Sequence, residues 1–201
     1  MAKQFWKGGA LLAPVPPVLV TCGTAERANI LTIGWTGICA THPPMTYISV
    51  RPTRHSYGII RETGEFAVNL TTTATVRAAD FCGVRSGRDT DKAKACGLHL
   101  TQTPFGNVPV LEESPVSLVC AVKQVIPLGS HDMFMAEIVA VHADERLFDK
   151  KTGAMHLERA NLVSYSNGHY YDLGKIIGKF GFSVEKRPSA ASRPARPSRK
   201  A

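Results

Sequence analysis

Between Val50 and Tyr57 the chain reads Arg51-Pro52-Thr53-Arg54-His55-Ser56, which packs two guanidiniums, an imidazole and two hydroxyls just ahead of a short helical stretch. The first N–H groups of a helix have no intrahelical partner and carry the positive end of its dipole. Arg forks and a Ser hydroxyl beside them suit a dianion such as a phosphate. The competing reading is a solvated basic surface loop. Gly34 and Gly37 bracket Trp35-Thr36, and without Cβ atoms they allow backbone to approach a planar ligand. Equally, Trp35 is a core residue and the glycines shape a bulge. Asn69 is polar where the apolar run from Phe66 would otherwise continue. A buried amide needs partners, which a ligand or the turn into Thr71-Thr72 can supply. A second polar loop, Ser86-Gly87-Arg88-Asp89-Thr90-Asp91-Lys92, leads into another short helix, where Asp91 favours the helix dipole.

These side chains need a framework, and the pattern predicts one made mostly of strands. Val18–Cys22, Ile30–Trp35, Met45–Val50, Phe66–Leu70, Val116–Val125, Met133–Val141 and Leu162–Ser164 are rich in β-branched and apolar residues. Thr41-His42-Pro43-Pro44 forces a turn, because each proline fixes φ and removes a backbone donor. Trp35-Thr36-Gly37 reads as the close of a strand entering a loop. Helical stretches are short: Ser56 to about Glu62, Ala74–Cys82 and Asp91–Ala95. Strands in excess of helices argue against repeated βαβ units and for an antiparallel barrel.

Composition bounds the rest. A chain of 201 residues holds one sizeable core. The five cysteines are widely spaced, odd in number and without a Cys-x-x-Cys pair, which points away from a disulfide framework or a zinc site and towards a reducing compartment. Prolines 14, 16 and 17 interrupt the apolar run after Gly8, so neither a signal peptide nor a membrane span is expected, and the expected location is cytoplasmic. The net charge of +8 is unevenly spread. Six of the 24 Lys and Arg follow Glu185, leaving 18 basic against 16 acidic side chains, a net of +2, in residues 1–185. The expected organisation is a body over 1–185 and a disordered Pro/Ser/Arg-rich tail over 186–201. That tail has no aromatic residue to stack on bases, which argues against nucleic acid as its partner. The histidines show no metal-ligand spacing, so no metal is expected. Of the thiols, only Cys82 has a candidate basic, helix-start setting that would lower its pKa.

The order of motifs resembles the flavin reductase-like, flavoredoxin-type family of FMN-binding split barrels. The residues that carry it are Asn29, Thr32, Trp35, Pro43-Pro44, Ile48-Ser49-Val50, Arg54, Ser56-Tyr57, Ile60 and Gly64-Glu65-Phe66-Ala67-Val68-Asn69. Phe81-Cys82-Gly83, the Ser86–Lys92 loop, Glu113-Ser114-Pro115-Val116, Leu128-Gly129-Ser130-His131 and Tyr171-Asp172-Leu173-Gly174 extend it, so the resemblance runs from about Val15 to Val184. It implies a six-stranded antiparallel Greek-key split barrel, a homodimer, and FMN near the subunit interface. It also implies FMN contacts from Trp35, Thr36, Gly37, Ser49, Val50, Arg51, Arg54, His55, Ser56, Asn69, Leu70, Cys82, Gly83 and Lys92. Lys92 would serve the N1–C2 edge of the flavin or the phosphate. His131 stands where related reductases carry a Gly-Asp-His triplet linked to the nicotinamide cofactor, although Ser130 replaces the Asp here. The implied activity passes electrons from NAD(P)H through FMN to a small-molecule or protein acceptor. The flavin does the chemistry while the protein orients and tunes it. Two other readings remain open at this stage: a non-enzymatic module carrying FMN or another ligand such as haem, and a scaffold for nucleic-acid contact through the tail.

Overall fold

A computed structural model describes residues 1–185, so the expected tail over 186–201 lies outside the described residues. The central sheet contains β1 (Val18–Cys22), β2 (Asn29–Ile33), β3 (Thr36–Thr41), β4 (Pro44–Val50), β5 (Glu65–Leu70), β8 (Val116–Pro127) and β9 (Asp132–Ala143). Its order is β2-β1-β5-β8-β9-β4-β3, and every pairing is antiparallel. The outermost strands, β2 and β3, are joined only by Gly34-Trp35, so the sheet must curl until its two edges meet. That geometry is a barrel with an opening where the edges approach. Short strands β6 (Leu100–Thr101) and β7 (Val110–Leu111) pair beside the barrel, and β10 (Val163–Ser166) forms a hairpin with β11 (His169–Asp172).

The mainly-β antiparallel class is as expected, with one strand more than six. The segment after Trp35 does not enter a loop. A bend at Gly34-Trp35 redirects the chain into β3, and the Pro43 turn then returns it as β4. β3 lies at the sheet edge with all six of its residues partly or fully exposed, so it lacks the buried apolar alternation that marks a strand.

β1 is buried at every position, because both its faces are covered. One face fills the barrel with Val18, Val20 and Cys22, packed with Leu31, Ile48, Val50, Ile60, Phe66 and Phe134. The other face places Leu19 under α2 (Val76–Val84) and α3 (Lys92–Cys96), with Ile30, Ala79, Cys82 and Leu98. Helix α1 (His55–Thr63) closes one end of the barrel through Ile60 and stops at Gly64, whose φ of +68° a side chain would resist.

Candidate functional site

Where the edges β2 and β3 meet, a cavity of about 630 Å³ opens between the β4–α1 loop and the segment following α2. Its floor comes from β2 and β4, through Asn29, Thr32, Ile33, Ser49 and Val50. Trp35 is on the lip and 41% exposed, so it is not a core side chain. One wall is Arg51, Thr53, Arg54, His55 and Ser56, and the facing wall is Cys82 to Arg88, with Lys92 behind. His131 closes the side nearest the β8–β9 turn. Among the described residues, the lining holds Arg51, Arg54, Arg85, Arg88 and Lys92 and no acidic side chain. A low-dielectric cleft of one sign concentrates oppositely charged ligands.

The helix start is arranged as the sequence predicts. Arg54 is the N-cap of α1 in extended backbone and supplies no side-chain cap, while His55 and Ser56 face the cavity. A tight turn, Arg54 N–H to Arg51 O at 3.0 Å, sets both guanidiniums on one wall. Ser56 is buried, and its hydroxyl accepts from Asn29 Nδ2 at 2.6 Å, which ties α1 to β2. Above them, the backbone of Gly87 lies so close to the Asn29 side chain that any Cβ there would overlap the amide. Arg88 Nη2 reaches Thr53 O at 3.4 Å, linking the two walls.

Lys92 is buried, and its Nζ donates to Ile30 O at 2.7 Å and Cys82 O at 2.9 Å. An ammonium has three donors, so one remains for the cavity. Burial, and next among the lowering causes the Arg54 charge, pulls its pKa below the usual lysine range. His131 is likewise held low, by burial first and then by Arg51 and Arg54. Cys82 does not fit its expected setting. It lies near the C-terminal end of α2, and burial pushes its thiol up to about 12, with Cys96 adding to the effect.

Four expected contacts lie outside the cavity. Thr36 Oγ1 donates to Tyr47 O at 2.6 Å, and Gly37 stands against the Tyr47 ring, both on β3. Asn69 is completely buried and fully bonded within the fold. Its Nδ2 donates to Leu19 O at 2.9 Å and Thr21 Oγ1 at 3.2 Å, and its Oδ1 accepts from Leu111 N at 2.9 Å and Ser117 Oγ at 2.8 Å. These partners lie on other strands and not in the following turn. Leu70 packs beside the barrel core. Conversely, Asn29, Thr53, Arg85, Gly87 and Arg88 join the lining. The Ser86–Lys92 motif signalled Gly87 and Arg88, whereas nothing in the pattern marked Arg85.

Comparison with known proteins decides the family. The model of the flavin reductase like domain matches residues 11–174. This chain belongs to that family. The fold of flavoredoxin from Desulfovibrio vulgaris (Miyazaki F) superposes with a TM-score of 0.84 at 27% identity, over 92% of this chain and 100% of that one. A Streptomyces viridifaciens NADPH-flavin oxidoreductase is 28% identical over 131 residues, 63% of this chain and 65% of that protein. An Aeropyrum pernix relative is 29% identical over 156 residues, and the chain spans 58% of that protein's length. The family supports flavin-related oxidoreductase chemistry. Among the described residues of this member, no helix is long and apolar enough to cross a membrane.

Proposed function

We propose that the chain is an FMN-dependent oxidoreductase that takes electrons from NAD(P)H and passes them to a second acceptor. The observation that carries this reading is the single-sign cavity built on the α1 start, where Arg51 and Arg54 stand beside the first N–H groups of the helix. The donor set fits a phosphate dianion, and Gly34, Trp35, Ser49 and Val50 leave a broad opening for a flat ring. Bound there, FMN would supply hydride acceptance and electron release. The chain's own part is to hold the phosphate with Arg51, Arg54, His55 and Ser56 and to border the ring with Trp35, Cys82-Gly83 and the remaining Lys92 donor. His131, neutral at the cavity side, is suited to border the nicotinamide.

The same reading pairs two copies of the chain. Its support is a set of large apolar side chains that stand exposed among the described residues: Phe5, Trp6, Leu11 and Leu12 before β1, and Ile176, Ile177, Phe180 and Val184 after β11. Large exposed apolar side chains in such number mark an interaction surface more often than a monomer's ordinary exterior.

The test is titration of the purified, flavin-free protein with FMN by fluorescence quenching, followed by NADH and NADPH oxidation by the loaded protein. Binding at micromolar protein with turnover is expected. A folded chain that binds no FMN would end the proposal, and binding without oxidation of either nicotinamide would make the barrel a passive carrier.

A further inference from the structure

Lys92 stands among three thiols, Cys22, Cys82 and Cys96, each close enough to feel its charge. Two of the three meet. Cys82, near the end of α2, and Cys96, the last residue of α3, share a side-chain hydrogen bond where the helices pack over Leu19, Ile30, Ala79 and Leu98. The other cysteines stand elsewhere. Cys22 Sγ donates to Asn29 O at 3.6 Å on the barrel side of β1, Cys120 Sγ donates to Leu118 O at 3.4 Å, and Cys39 is exposed on β3.

The two sulfurs differ in access. Cys82 is 1% exposed, whereas Cys96 is half-buried at the end of a five-residue helix, just before Gly97 in left-handed backbone. A dissolved oxidant therefore reaches Cys96 first, with Cys82 already in place behind it. Burial keeps Cys82 a thiol and shields it from direct attack, while the Lys92 ammonium, held by Cys82 O, favours thiolate character when one is needed. An accessible thiol backed by a resolving one is the arrangement of a reversible redox pair. A bond between them would tie residue 82 to residue 96 and enclose the stretch between. That stretch includes Gly83 to Arg88, the cavity wall facing Arg54, and Lys92 itself. Cross-linking removes conformational freedom from the enclosed segment.

We propose that Cys82 and Cys96 form a reversible disulfide, driven by hydrogen peroxide, that locks the Gly83–Arg88 wall of the cavity. Cys96 Sγ attacks one peroxide oxygen as the O–O bond breaks. The leaving hydroxide takes the Cys96 proton and departs as water, and Cys96 becomes a sulfenic acid. Cys82 Sγ then attacks that sulfur, the S–O bond breaks, and the second hydroxide leaves as water with the Cys82 proton. The two thiols lose two electrons and the peroxide gains them; a dithiol reductant reverses the change. The pair depends on the α2–α3 contact and not on flavin in the cavity.

The experiment exposes reduced, flavin-free protein to hydrogen peroxide, blocks remaining thiols with iodoacetamide under unfolding conditions, and maps the peptides. Trypsin leaves Cys96 and Cys120 on one peptide, so a glutamate-specific protease is added to cut between them at Glu112-Glu113. A Cys82–Cys96 link within one chain is expected, with both thiols recovered by dithiothreitol. Native tryptic cutting after Arg85 and Arg88, both exposed, should slow on the order of tenfold in the oxidised chain. Cys96→Ser, at a half-buried helix end, should abolish the link, leave Cys82 a thiol at the same peroxide dose and keep cutting at the reduced rate. The map of the unaltered chain carries the assignment even where that variant folds poorly. Survival of both sulfurs as thiols, passage of Cys96 to sulfinic acid without a link, or a bond from Cys96 to a second chain overturns the proposal. So does a link that leaves cutting after Arg85 and Arg88 unchanged, since the wall is then not locked. All readouts are taken without flavin, so their failure leaves the FMN reading standing, and failure of FMN to bind leaves them standing.

Discussion

Arg54 combines two features that a solvated basic loop would lack: it is the N-cap of α1, and it shares one cavity wall with Arg51 across a closed turn. Arg54→Ala is expected to weaken FMN by roughly 1.5–3 kcal/mol, the scale of a hydrogen bond to a charged group. Riboflavin has no phosphate and should be nearly unaffected, so parallel titrations of the two flavins isolate the phosphate contact. Equal losses would place Arg54 under the ring or in folding. His131 gives an independent readout of the same charge. Burial and then Arg51 and Arg54 disfavour its protonated form. A dianion seated on those guanidiniums cancels part of their field and so favours the imidazolium. FMN should therefore raise the His131 pKa, with net proton uptake on binding at pH values between the free and bound pKa. Following the His131 Cε1–H resonance against pH, with FMN and then with riboflavin, checks this; a rise with both ligands, or with neither, would place the phosphate elsewhere. The thiols are a third case. Burial raises Cys22 to about 11 and Cys82 and Cys120 to about 12, whereas Cys39 is exposed. Iodoacetamide at pH 7.5 should modify Cys39 in the native chain and reach Cys22, Cys82 and Cys120 only on unfolding, as peptide mapping would show.

Among the elements, the parts legible in the sequence are those whose partners are near in the chain. The β4–loop–α1 unit is local, so its Arg and Ser positions could be read directly, and the structure places Arg51, Thr53, Arg54, His55 and Ser56 around one cavity. Asn69 shows the opposite case. The break in alternation marked it as a buried polar side chain needing partners, but those partners are 42 to 50 residues away, on β1, β7 and β8. Only the closed barrel brings them together, so no local pattern could choose between ligand and brace. β3 was hidden because an edge strand needs no buried alternate face, and two-residue strands such as β6 and β7 are shorter than any period. The brace has a measurable consequence. Asn69→Ala strands the Leu111 N–H and the Ser117 hydroxyl in the interior, at a cost of about 1–3 kcal/mol for an unsatisfied buried group. Chemical denaturation should show that loss, while FMN affinity of the folded variant stays unchanged. A selective loss of FMN with stability intact would restore Asn69 to the ligand site.

At the scale of the whole molecule, the two apolar segments leave the body at one corner. Val15 is bridged to Tyr165 of β10 by hydrogen bonds of 2.9 and 2.8 Å, and the later segment begins where β11, the other strand of that hairpin, ends at Asp172. Val15 also stands 3.7 Å from the space a Cβ on Gly34 would take, and Gly34 lines the cavity. The root of the first segment is therefore at the rim of the proposed flavin site. Phe5, Trp6, Phe180 and Phe182 are all exposed, with Phe180 as open as in an extended chain. Aromatic side chains bury about 150–250 Å² each, so these four together approach the roughly 800 Å² per partner of a standard interface. A two-fold pair can satisfy both copies at once, since each segment leaves its own body and covers its partner's. On this reading, removal of residues 2–12 should shift the chain from dimer to monomer and weaken FMN in step, because association and ligand binding are linked by mass action. Sedimentation with flavin absorbance recorded on the same sample, carried through a dilution series of the full and shortened chains, measures both quantities. A shortened chain that remains dimeric would move the interface away from the first segment. A monomer with full FMN occupancy would show that each barrel completes its own site, and the pairing would then have no part in holding the flavin.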